Sequence, residues 1–171
     1  MDKNNCFAID KLDSKIIGFL QKDGRMPYNK IAKELNVSET TVRNRVQRLT
    51  DEKVIQIVAV GDPLKLGFGI AGTFKLQINP KKVKDIIREL REIKEIWYIA
   101  LATGSENIDT EFNTRSLEDL RVLIYERLNK IDGILKTETS ILMGYEKREY
   151  TWGTALENHR GCTGNETSDT E

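Results

Sequence analysis

Histidine is nearly absent from this 171-residue chain: there is one, His159, close to the end. General acid–base chemistry near neutral pH therefore lacks its usual side chain. Cysteine is almost as scarce. Cys6 and Cys162 stand at opposite ends in unpatterned sequence, which supports neither a disulfide framework nor a zinc spacing. The chain has no Ser/His/Asp or Cys/His set and no phosphate-cradling glycine-rich loop, so no catalytic residue, no metal and no cofactor is expected. Long apolar runs are missing too. The longest, Ile96 to Ala102, has seven residues against the roughly 20 that cross a bilayer. Met1 to Asn5 lack the apolar core of a secretory signal, so a soluble, cytoplasmic protein that does not engage a membrane is expected. Net charge is also missing, with 27 basic and 27 acidic side chains. The 32% of charged residues predicts a surface rich in solvated ion pairs.

That zero conceals a gradient. Residues 1–60 carry 11 basic and 8 acidic side chains, residues 61–152 carry 15 of each, and residues 153–171 carry one against four. The basic end is also where a helical period is clearest. Leu12, Ile16, Phe19 and Leu20 share one helix face, Asp10 or Asp13 can cap its start, and Asp23-Gly24 ends it. Tyr28, Ile31, Ala32 and Leu35 form a second, shorter stripe that opens at Pro27. Asn36-Val37-Ser38 reads as a tight turn, because asparagine tolerates left-handed dihedrals and serine caps helices. A third helix buries Val42, Val46 and Leu49.

On that third helix Thr40, Arg43, Asn44, Gln47 and Arg48 point away from the core, flanked by Thr41 and Arg45. Three helices with a tight turn before the last form the helix-turn-helix arrangement, whose final helix enters the major groove. Its exposed side chains suit that task. Arg43, Asn44 and Gln47 can pair with base edges, while Ser38, Thr40, Thr41, Arg45 and Arg48 can hold phosphates. An ordinary solvated helix face is the alternative, since no one of these residues is diagnostic. Val54 to Val60 reads as a strand, the wing of a winged helix-turn-helix over residues 10–60, and residues 61–72 as a linker.

The remainder alternates between strand and helix periods. Phe74, Leu76 and Ile78 alternate with polar neighbours, and Asn79-Pro80 opens a helix burying Val83, Ile86, Ile87, Leu90 and Ile93. Ile96 to Ala102 reads as a buried strand, Thr103 to Asn107 as a loop, and Ile108 to Asn113 as a strand. Ser116 caps a helix with Leu117, Leu120, Ile124, Leu128 and Ile131 inward, and a last strand runs from Leu135 to Met143. The order is βαββαβ, ferredoxin-like, over residues 73–152, and the whole is an α+β chain with a disordered tail at 153–171. Trp97, Tyr98 and Phe112 are expected to pack a core or a dimer face, and Trp152 to clamp the C-terminus. Glu106, Asp109 and Glu111 form an acidic set that fits a solvated sheet edge better than a metal or cationic ligand.

Leu12 to Ile17, Asp23-Gly24-Arg25, Ile31 to Leu35, Val37 to Val46, Val54-Ile55, Pro63 to Gly67 and Thr103-Gly104 occur in the order seen in the Lrp/AsnC feast/famine regulators, and the chain resembles that family from about Leu12 to Tyr150. The resemblance implies a transcriptional regulator that binds double-stranded DNA. It further implies homodimers paired through the sheets and assembled into octamers or related rings, with an amino-acid-like small-molecule effector held between dimers. By the resemblance, the effector loop is Gly104, Ser105, Glu106 and Asn107. Asn107 stands where the family commonly has aspartate, and Lys53 where it usually has glycine before the wing. Gly104 and Asn107 also fit a plain hairpin turn. Two other functions are weighed: a tetrapyrrole decarboxylase on the same scaffold, which the lone His159 disfavours, and a ligand sensor without DNA binding, which the basic third helix disfavours.

Overall fold

The computed structural model describes residues 8–155. Cys6, His159, Cys162 and the expected tail beyond Ala155 lie outside the described residues. The chain divides into two compact units. One takes residues up to Ala59 together with the segment from Lys147, and the other runs from Val60 to Glu146.

The first unit contains α1 (Lys11–Lys22), α2 (Tyr28–Leu35) and α3 (Glu39–Asp51). Their apolar stripes meet in a core of Ile16, Leu20, Ile31, Ala32, Val42 and Val46. The open choice of cap for α1 resolves to both aspartates: Asp10 accepts from the Leu12 and Asp13 amides, and Asp13 accepts from the Asp10 amide. This reciprocal box satisfies donors that a helix start otherwise leaves open.

Both helix ends that follow are left-handed. Asn36 has φ 54°, and the Val37 and Asn36 amides donate to the Ala32 and Lys33 carbonyls. Lys53 has φ 57°, with the Val54 amide on the Leu49 carbonyl at 2.9 Å and its own amide on Thr50 at 3.0 Å. Each is a Schellman closure. A lysine there bears the Cβ crowding that glycine avoids, about 1–2 kcal/mol, part of which glycine's larger unfolded-chain entropy would offset. Lys53→Gly is therefore expected to stabilise the first unit by about 0.5–1 kcal/mol, read as a higher midpoint in chemical denaturation.

The expected wing strand does not form. Val54 to Val60 makes no strand among the described residues, and Ile57, Val58 and Val60 are exposed. A β-branched run has strand propensity, but a strand exists only against a partner strand. Among the described residues the run finds none. The C-terminal segment also differs from its expected reading. Gly153, placed in the tail by the sequence, is held on α1: its amide donates to Gln21 Oε1 at 2.9 Å and its carbonyl accepts from Gln21 Nε2 at 3.3 Å, while the Thr154 and Ser14 hydroxyls bond nearby. The clamp is thus made by Gly153 and Thr154. Trp152 is 75% exposed and tilts against Tyr150.

The second unit holds β1 (Ile70–Ile78), α4 (Val83–Arg91), β2 (Ile96–Leu101), β3 (Ile108–Thr114), α5 (Leu117–Val122) and β4 (Ile134–Ile141). Its antiparallel sheet has the order β2-β3-β1-β4. This is the ferredoxin-like βαββαβ arrangement that the alternation predicted. Phe74, Leu76, Ile78, Ile108 and Phe112 meet Ile86, Leu90, Leu120, Leu123 and Leu128 in one core, with the Phe74 and Phe112 rings stacked at 4.2 Å.

Three expectations change here. The strand at Ile96 is an edge strand, not a buried one, with Trp97, Tyr98 and Leu101 exposed. β3 is an inner strand, so Asp109 and Glu111 lie on a sheet face and not at an edge; Asp109 pairs across with Lys75, which also faces Glu138. The second long helix keeps α-geometry only through Val122, continues as a π turn over Leu123–Arg127 and a 3-10 turn over Leu128–Lys130, and leaves Leu117 exposed.

Candidate nucleic-acid interface and effector loop

α3 starts at Ser38, whose hydroxyl accepts from the Thr41 amide at 3.0 Å and shares a 2.8 Å bond with the Thr41 hydroxyl. Ser38 is thus the cap, and the shared bond uses one of the two hydroxyl protons and leaves the other to donate. Thr40, Arg43, Asn44 and Gln47 form the solvent face of the helix. Arg43 pairs with Glu39 at 2.7 Å, its guanidinium carbon 5.7 Å from the Tyr28 ring centre, and Gln47 Nε2 donates to Asp51 at 2.8 Å. Glu39 and Asp51 are exposed and one helical turn away, so they orient the side chains without removing them from solvent. Among the described residues Asn44 makes no side-chain bond.

Arg45 and Arg48 are placed elsewhere. Arg45 Nη1 donates to Asp13 Oδ1 at 3.0 Å and also bonds Asp10, while Arg48 Nη2 donates to Asp13 Oδ2 at 2.6 Å. Asp13 is 0% exposed. The three arginines that suggested a strongly cationic face thus split. Arg43 pairs within its own helix, while Arg45 and Arg48 reach back to the start of α1, Arg48 with 46% of its side chain still exposed. At Asp10 burial pushes the carboxyl pKa up, but the Asp13 amide, Arg45 and the Leu12 amide outweigh it and hold the group below its usual 3.8; the Arg45 guanidinium is correspondingly raised, first by Asp10 and then by Asp13. The sequence contained a clue to this network, an aspartate pair at a helix start and an arginine pair three apart. No local pattern connects the two.

The loop between β2 and β3 carries Gly104 at φ +117°, where a side chain would be strained, and exposed Ser105. Ser105 Oγ donates to Glu106 Oε2 at 2.5 Å, and chiefly this bond keeps the Glu106 carboxyl below its usual value against the opposing effect of desolvation, with its own backbone amide, Lys136 and Lys75 adding to the lowering. Asn107 is a brace. Its Oδ1 accepts from the Ile78 amide at 3.2 Å, its Nδ2 donates to the Gly104 carbonyl at 3.3 Å, and its backbone amide bonds Leu76 at 2.8 Å. An aspartate could accept from Ile78 but could not donate to Gly104, so asparagine closes this loop where a carboxylate would face a carbonyl. The loop therefore presents one charged group, the Glu106 carboxylate, beside a glycine turn.

Two cavities of the second unit lie apart from that loop. One of about 540 Å³ is bounded by Tyr125, Leu135 and Lys136, and one of about 520 Å³ by Phe68, Arg115, Val122 and Arg127. Neither was visible in the sequence, because each is lined by residues from separate elements. No helix of the described residues is long and apolar enough to cross a membrane.

Comparison with known proteins bears on the family and the fold. Residues 9–50 match the AsnC-type helix-turn-helix domain, and residues 73–152 match the Lrp/AsnC ligand binding domain. An HTH-type transcriptional regulator of Pyrococcus abyssi is 39% identical over 148 residues, which span 86% of this chain and 91% of that protein. The regulator LrpA of Pyrococcus horikoshii is 32% identical over 136 residues, 79% of this chain and 96% of its own. Among solved structures, AsnC of E. coli superimposes with a TM-score of 0.72 at 24% identity, covering 84% of this chain and 97% of that one. A transcriptional regulator of Neisseria meningitidis, solved as a complex with L-Met, superimposes at 0.73 with 18% identity, covering 84% and 96%.

Proposed function

The chain belongs to the Lrp/AsnC family of transcriptional regulators, with a DNA-binding helix-turn-helix domain and a ligand-binding domain, and from that premise we propose how it reads DNA and senses its effector. Base edges are read by Arg43, Asn44 and Gln47, with Ser38, Thr40 and Thr41 at the phosphates beside the start of α3. The observation that carries this is the solvent face of α3: it bears one guanidinium and two amide side chains, the groups that pair with guanine and adenine, and the carboxylates that orient them are exposed. Selection of duplexes from a random pool tests it. At a selected site Arg43→Ala is expected to cost about 1–3 kcal/mol in an electrophoretic or fluorescence titration. An equal loss on a scrambled duplex would reduce Arg43 to a phosphate contact.

The chain works as a homodimer, with recognition helices about 34 Å apart or a multiple of that on successive half-sites. Support comes from the sheet face opposite α4 and α5, where Thr73, Lys75, Asp109 and Glu111 are left without a covering layer from the described residues. Further assembly into octamers or related rings follows the family pattern.

The effector is an amino acid or close relative at Gly104 to Asn107. Its ammonium meets the Glu106 carboxylate, and Asn107 shapes the turn without touching the ligand. The L-Met complex of the meningococcal relative supports the ligand class. Binding then shifts operator affinity by a coupling of about 1–3 kcal/mol. A thermal-shift screen of amino acids is expected to give a hit that raises the midpoint; at a hundredfold excess over its Kd the gain is about 2.7 kcal/mol. Glu106→Gln should abolish that hit. Effectors that bind yet leave both assembly and operator affinity unchanged would refute the coupling.

A further inference from the structure

The start of α1 and the recognition helix share one ion-pair network. Asp13 is wholly buried and has three donors on its two oxygens: Arg45 on Oδ1, and Arg48 with the Asp10 amide on Oδ2. Asp10 spends one oxygen on capping α1 and turns the other to Arg45. The box that begins the first helix is therefore also the anchor of the third.

Arg45, half-buried on the flank of α3, and Arg48, whose side chain stays 46% exposed, stand three residues apart and both reach the buried Asp13. Moving both onto DNA phosphates would strand a buried carboxylate with a single amide donor, and the desolvation penalty of an unpaired buried charge far exceeds the worth of screened surface contacts. The guanidinium planes are thus committed before DNA arrives. What they control is the rotation of α3 about its own axis, which decides whether Arg43, Asn44 and Gln47 meet the base edges.

We propose that Arg45 and Arg48 are positioning residues for DNA recognition, held on the Asp10–Asp13 helix cap, and that neither takes a phosphate. The inference rests on the DNA-reading assignment above and revises the expectation that these two arginines fix the DNA backbone. Counterion release is left to exposed cations such as Lys30 and Lys33 on α2, the helix that crosses the backbone in this motif.

The experiment compares the full chain with Arg45→Gln, Arg48→Gln and Asp13→Asn on a duplex selected from a random pool and on its scrambled counterpart, at several salt concentrations between about 50 and 200 mM. The selected-over-scrambled ratio is expected to fall at least about tenfold in all three variants, with the slope of log affinity against log salt unchanged. A slope reduced by about 0.9 for each arginine removed, with the ratio preserved, would overturn the proposal. So would tighter binding of both duplexes by Asp13→Asn, the result expected of phosphate ligands that the aspartate merely restrains. Should any variant fail to fold, the wild-type chain decides the matter: on adding duplex the Arg43 guanidinium NMR signals should move while those of Arg45 and Arg48 stay in place, and the reverse pattern refutes the assignment. A wild-type chain that selects no duplex at all would instead remove the DNA-reading assignment, and this inference with it.

Discussion

Asp13→Ala is expected to cost the first unit about 1–3 kcal/mol, the range for taking hydrogen-bond acceptors away from donors that include charged groups. Three groups each lose one acceptor: the Arg45 guanidinium, which keeps Asp10, the Arg48 guanidinium and the Asp10 amide. Whole domains are stable by only about 5–15 kcal/mol, so a loss of that size should show as a first unit that melts well before the second. Calorimetry of the full chain would resolve the two transitions, and a change below about 1 kcal/mol would mean that the carboxylate is better hydrated than its burial implies. The same network has an acid limit. Asp10 has a folded pKa below its unfolded value of 3.8, so its contribution is present above that value and fades as pH falls through the lower, folded one. The first unit should therefore lose stability below about pH 4, and a chain with Asp10→Asn should lose less over the same window.

Gly72→Ala is expected to cost the second unit about 3 kcal/mol, at the upper end of what overpacking a close-packed core does. Gly72 sits inside β1 with β3 on one side and β4 on the other. A Cβ there would lie 2.4 Å from the Phe112 ring and 2.4 Å from the Ser140 carbonyl oxygen. The ring cannot swing away, because it is fully buried and stacked on Phe74, and the carbonyl belongs to the backbone of the neighbouring strand. Strands must separate or the aromatic pair must break. Urea denaturation should show the second unit destabilised and the first unchanged, and a variant that melts like the parent would mean the sheet yields more easily than its packing suggests.

That glycine also marks how far local pattern reaches. The sequence placed Gly72 at the end of a linker, together with Gly67 and Gly69, because glycine in a run of glycines reads as a connector. The structure puts it within a nine-residue strand, where the missing side chain makes room for a phenylalanine forty positions away. At Asn36 and Lys53, by contrast, the left-handed helix ends follow from the neighbouring residues, since a Schellman closure is made within six residues. At Asn107 the sequence registered a departure from the usual aspartate; the reason for it, a donor aimed at Gly104, needed the loop's coordinates.

The helices of the first unit, their turn, the βαββαβ order of the second and the polar outer face of α3 were all legible in the sequence, because each depends on period and on capping within a few residues. Tertiary structure alone decided which arginines of α3 reach back to the start of α1, that Val54 to Val60 finds no partner strand among the described residues, that β2 lies at the edge and β3 inside, and that Gly153 returns to α1. Those outcomes depend on which distant group lies opposite, as Asp13 lies opposite Arg45 across 32 residues of chain, and a one-dimensional pattern shows which way a side chain points but not what it meets.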